Sequence, residues 1–236
     1  MGDPVIFIPP MLSDARVFAH QFAELSRDHI VVFAPLIVGS TIADYAADIL
    51  RWAPPEFAVA GQGMGGNVAL EMVQRAPKRI TRIALINTNA RADTPKTAAD
   101  REPRIIAAKA GRFHSALDEE WTQDHFCENT DLEVLAPKLL DMANGLGPDI
   151  YVQQSRALQK RKDQQAILRK IQQPALVVSG DCDIENTLRR QEFVAEMIPY
   201  AKHEIVTGAG LLPSLEQPKQ VSDILRDWCR QPLILR

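Results

Sequence analysis

The residues with the clearest chemical spacing are Gly61-Gln62-Gly63-Met64-Gly65-Gly66, which match G-x-G-x-x-G. After a strand and before a helix, that pattern can lay a pyrophosphate on a helix N-terminus. Three features argue against a dinucleotide here. The stretch belongs to the third strand–helix unit, not the first. The acidic residue expected about 20 positions on is missing, since the next strand ends in Asn87-Thr88-Asn89. No second mononucleotide-binding half follows. The same glycines also suit a sharp strand-to-helix turn of the G-x-S-x-G kind, which lifts its central side chain above a sheet. Here the centre is Gly63, so the turn carries no nucleophile.

Few other groups present themselves as substitutes. Nucleophilic catalysis needs a nucleophile, a base and a group that orients the base. Ser179 falls inside a predicted strand, and Ser13, Ser40, Ser115 and Ser155 lack the turn geometry. Cys182 adjoins Asp181 and Asp183, whose charges would raise a thiol pKa, so it reads as a small core residue. His114 and His125 fall in a helical region that could overhang a pocket. His20, His29 and His203 fall at peripheral helix or strand ends. Asp183 is the remaining candidate acid, with a hydrogen-bonded loop carboxylate as its plain alternative.

The elements that position these residues follow from apolar periodicity. Val5–Ile8, Ile30–Phe33, Phe57–Ala60, Ile80–Ile86, Ala175–Ser179 and His203–Val206 read as strands. Helices are predicted over Ala15–Leu25, Ile42–Trp52 with Thr41 as N-cap, Asn67–Gln74, Thr187–Met197 and Gln217–Trp228. That alternation predicts an α/β fold with a mostly parallel sheet and helices on both faces. Between residues 91 and 166 the rhythm stops, and only helices are expected, around 104–110, 132–142 and 151–158. The predicted organisation is a core of residues 1–90 and 167–236 with a helical cap insertion at 91–166.

Composition narrows the function classes. The 236 residues are 46% apolar and 24% charged, with net charge −3 and no long basic run, which argues against nucleic-acid binding. No apolar stretch is long enough to span a membrane, and the N-terminus lacks a signal-peptide pattern. Cys127, Cys182 and Cys229 are widely spaced and odd in number, so no disulfide framework, metal site or cofactor is expected. The expected setting is reducing and cytoplasmic. Pro232-Leu233-Ile234-Leu235 is an apolar tail able to dock on its own core or on a partner.

Four stretches in order resemble the α/β-hydrolase superfamily, in particular its small capped esterase-like members. Phe7 to Ala15 resembles the loop whose backbone helps form an oxyanion hole. Ala60 to Ala69 resembles the nucleophile elbow. Val178 to Asp183 resembles the strand end that carries the catalytic acid. Gly210 to Pro218 resembles the histidine loop, commonly G-H-x-P-x-x-E-x-P. The resemblance implies an α/β-hydrolase fold. It also implies Asp183 as the retained acid, Gly63 at the nucleophile position, Leu211 at the histidine position, and Met11 and Met64 as backbone oxyanion donors. Pro10 departs from the usual glycine. Two functions follow: a non-hydrolytic protein or pseudoenzyme holding a small apolar or ester-like ligand between core and cap, or an enzyme using Asp183 and the oxyanion pocket without a serine.

Overall fold

The computed structural model describes residues 2–232; positions 233–235 of the apolar tail lie outside the described residues. Six strands form one parallel sheet in the order β2-β1-β3-β4-β5-β6. They are β1 (Val5–Ile8), β2 (Val31–Phe33), β3 (Phe57–Gln62), β4 (Ile80–Ile86), β5 (Ala175–Gly180) and β6 (Ala201–Val206). Each lies within two residues of its predicted bounds. The apolar runs are continuous because the central strands are covered on both faces. Along β1 the side chains divide by parity: Ile6 and Ile8 join one core, Val5 and Phe7 the other.

Helices α2 (Ile42–Trp52), α3 (Met64–Arg75) and α8 (Leu188–Met197) contribute to the first core. Helices α1 (Ala19–Leu25) and α10 (Pro218–Cys229), the latter preceded by the short α9 (Pro213–Glu216), contribute to the second. Thr41 caps α2 as expected, its hydroxyl accepting from the Asp44 N–H at 3.1 Å.

Between β4 and β5 the chain forms α4 (Pro95–Lys109), α5 (Phe113–Glu120), α6 (Leu132–Gln159) and the short α7 (Gln165–Leu168). Helix α4 starts nine residues before its predicted start, and α5 was not anticipated. The first half of α4 is polar and contains Pro103, so periodicity alone gives no helical signal there. The predicted helices at 132–142 and 151–158 are the two arms of α6. They meet at Gly147, whose φ of 83° breaks the helix, and Pro148 begins the second arm. Leu12, Ala107, Phe113, Leu117 and Tyr151 share a separate small core, which ties these helices to the loop after β1.

Candidate functional site

The sharpest local geometry lies where β3 meets α3. Gly63 sits at φ 53°, ψ −118° as the N-cap of α3. That is a conformation few L-residues adopt, and glycine pays little for it. A Cβ on Gly65 would overlap the Ile8 carbonyl, so glycine there lets α3 pack directly on the end of β1. Met64 opens α3, and its N–H is one of the helix's first-turn donors without an intrahelical acceptor.

Gly63, Met64, Met11 and Leu211 all line one cavity of about 400 Å³. The loop carrying Met11 is fixed through Leu12 (φ 61°), whose N–H donates to Gln154 Oε1 at 2.9 Å. The Gln154 amide in turn donates to the Leu36 carbonyl at 2.8 Å, so α6 holds that loop from above. The loop carrying Leu211 is organised by Glu216, whose carboxylate accepts from the N–H groups of Gly210 and Leu212 at 3.0 and 2.9 Å. Asn87, at φ 43° after β4, ties β5 to this loop. Its Nδ2 donates to the Gly210 carbonyl at 2.7 Å, and its Oδ1 accepts from the Gly180 N–H at 2.9 Å.

Asp183 is 5% exposed in the loop after β5 and does not line the cavity. One carboxylate oxygen accepts from the N–H groups of Glu185 and Asn186, both at 2.8 Å. The other accepts from Asn186 Nδ2 at 3.2 Å. All three of these donors belong to its own loop.

The histidines do not supply a base to the cavity. His114 is exposed on α5. The His125 ring closes a local cap with Thr122, at 3.2 Å from its N–H and 3.0 Å from its hydroxyl. Two Ser–His pairs do occur, Ser179–His203 at 2.6 Å and His20–Ser222 at 2.7 Å. Neither pair lines the cavity. Burial lowers the His203 pKa below its ordinary value.

The cysteine reading needs correction. Cys127 and Cys182 form a disulfide across 55 positions, with Cα atoms 5.2 Å apart, and Cys229 is free and buried. Cys182 is thus half-buried and bonded, not a small core residue. Sequence spacing carried no sign of this, because the loop before α6 folds back over the loop after β5. The expectation of a reducing setting loses its support, since such bonds persist mainly in oxidising compartments. Asp181 also approaches the two sulfurs, but sulfurs bonded to each other are not thiolates and do not ligate a metal. Its Oδ1 already accepts from the Gly208 N–H at 2.8 Å.

Sequence reasoning also missed the charge on the cavity wall. Arg91, Arg101, Arg161 and Arg190 line the cavity together with Asp93, Glu120 and Glu185. The groups are dispersed over the helical region, the loop after β5 and the first turn of α8, so no local pattern announces them. Among the described residues, no helix is long and apolar enough to cross a membrane.

A model of the alpha/beta hydrolase family matches residues 5–224. The chain is similar to the pimeloyl-[acyl-carrier protein] methyl ester esterase of Nitrosomonas europaea, 23% identical over 173 residues, covering 71% of this chain and 69% of that protein. It is similar to the protein of the same name from Neisseria meningitidis, 25% identical over 193 residues, covering 78% and 70%. Two solved structures share the fold. One is a thermophilic esterase from Thermogutta terrifontis, with TM-score 0.87, 23% identity, and 98% of this chain and 90% of that one covered. The other is the enol-lactonase of Burkholderia xenovorans, with TM-score 0.87, 21% identity, and 98% and 92% covered. On the family match and the parallel sheet together, the chain belongs to the alpha/beta hydrolase family.

Proposed function

We propose that this chain is a non-hydrolytic member of its family, which binds a small molecule in the cavity at the C-terminal end of the sheet. In this reading Gly63 stands at the nucleophile position, Leu211 at the histidine position, and Asp183 is the retained acid. Helices α4 to α6, within residues 91–166, act as a cap over a core of residues 1–90 and 167–236. The observation that carries the reading is the cavity lining. Among the described residues it includes no serine, cysteine or histidine beside the turn at Gly63. A family enzyme needs a nucleophile and a base there, and removal of such groups costs up to about a millionfold in rate.

The rival reading, an enzyme working through Asp183, draws less support. That carboxylate accepts from the Glu185 and Asn186 donors and is not part of the cavity lining. The N–H groups of Met11 and Met64 remain suited to an oxygen of a bound ligand in either reading. Turnover of short p-nitrophenyl esters by the purified protein tests the proposal. The expected rate is that of buffer with an inert protein; saturable turnover at rates normal for esterases would overturn it.

A further inference from the structure

The Asp93 side chain is 2% exposed and lies between two guanidinium groups, Arg101 Nε at 3.2 Å and Arg161 Nη2 at 2.9 Å. Glu120 is shared in turn by Arg101 at 3.8 Å and Arg104 at 3.4 Å, and accepts from the Tyr151 hydroxyl at 3.2 Å. This network has three arginines and two carboxylates, which leaves one positive charge. All five side chains are largely buried, so water screens that excess poorly.

The guanidinium donors are also underused. Each arginine carries five N–H donors. Among the described residues Arg101 makes one hydrogen bond, to Asp93, its approach to Glu120 being too long to count. Arg161 donates through Nε to the Arg91 carbonyl at 2.9 Å and through Nη2 to Asp93. The Arg101 side chain is 13% and that of Arg161 7% exposed, and both residues line the cavity. Their unspent Nη donors are not sealed in the core but open at the cavity wall, where a ligand acceptor can reach them.

We propose that the cavity recognises a small amphiphilic carboxylate, its carboxylate held by Arg101 and Arg161 and its apolar body lying towards Met11, Met64 and Leu211. The inference rests on the binding function proposed above and specifies its ligand class. The guanidinium fork matches a planar carboxylate. The single excess charge of the network matches a monoanion; a phosphate dianion would overbalance it. The other charged groups at the cavity are accounted for. Arg91 lies with its guanidinium 5.4 Å from the centre of the Phe193 ring, and Arg190 donates to the Glu185 carbonyl. The half-exposed Glu185 carboxylate lies 3.7 Å from His125. Four arginines against three carboxylates leave the lining as a whole with the same single positive excess. At Arg101 burial is outweighed by the carboxylates of Glu120, Asp93 and Glu185, which hold the pKa above its ordinary value. Burial draws the Arg161 guanidinium below its own, Asp93 and Glu185 only partly offsetting this and Arg101 adding to it. That imbalance at Arg161 is the electrostatic demand an incoming carboxylate would meet.

The test is an NMR titration of the full chain with hexanoate, hexanamide and hexyl phosphate. The side-chain Nε–H signals of Arg101 and Arg161 report where each probe binds. Hexanoate is expected to bind at least roughly tenfold more tightly than hexanamide, as suits a charge-assisted pair, and to shift both signals. Arg161→Lys keeps a charge opposite Asp93 and should fold, yet should lose about tenfold in hexanoate affinity because the fork is gone. Equal affinity for hexanoate and hexanamide, binding by hexyl phosphate alone, or unchanged hexanoate affinity in Arg161→Lys would each overturn the inference. Any of these without ester turnover leaves the non-hydrolytic reading standing; ester turnover overturns that reading separately.

Discussion

A Cβ built on Gly63 would stand 3.4 Å from the Cβ of Pro10. There is thus room for a side chain at the turn, and what opposes one is the backbone at φ 53° and ψ −118°. Gly63→Ser is expected to fold and to lose roughly 1–3 kcal/mol, the cost of holding a non-glycine residue in such a conformation. Urea unfolding with an unchanged slope should show the midpoint falling. A midpoint that stays or rises would mean that residue 63 carries no strain.

Asp183 should matter for stability more than for chemistry. Asp183→Ala leaves the buried N–H of Asn186 and the partly buried N–H of Glu185 without their acceptor, at a cost of about 1–3 kcal/mol. Asp183→Asn keeps one amide oxygen to accept from them and should cost clearly less. Thermal melts of the two variants side by side distinguish this from a carboxylate whose charge is needed.

The Cys127–Cys182 bond closes a loop of 55 positions. Chain entropy for a loop of that length is about 4 kcal/mol, before any effect on the native state. Cys127→Ser with Cys182→Ser should therefore lower the melting temperature strongly. Addition of dithiothreitol should lower that of the parent protein and leave that of the double variant unchanged.

Stability should also fall on mild acidification through His203. Burial disfavours its charged form, so its folded pKa lies below the 6.5 of an ordinary histidine. Between the two values the unfolded chain binds a proton that the folded chain does not. The contribution is fully present above the unfolded pKa and is lost as pH falls through the folded one. His203→Gln should flatten melting temperature against pH below about 6.5 relative to the parent.

The sheet was readable from sequence because its central strands are buried on both faces and appear as short apolar runs separated by longer periodic segments. The turn at Gly63 was readable because close packing allows little but glycine at residue 65. The bridges that assemble the site were not. Asn87, Gln154 and Glu216 act over separations of up to 142 positions or through backbone N–H groups, and a single polar residue carries no local period. The charged wall escaped for the same reason: Asp93, Arg101, Glu120 and Arg161 converge only once α4 to α6 have folded over the sheet. The disulfide escaped because pairing depends on the path of the loop before α6 and not on cysteine spacing.

The central claim is that the turn at residue 63 offers no activated nucleophile, and covalent labelling by a fluorophosphonate, read by intact-protein mass, tests it most directly. The parent protein is expected to stay unmodified. The variant carrying both Gly63→Ser and Leu211→His should gain one adduct, and each single variant little. Both positions line one cavity, and a serine needs a neighbouring base to react. The combined gain should exceed the sum of the single ones, since such groups act as a unit. A stoichiometric adduct on the parent protein would contradict the account.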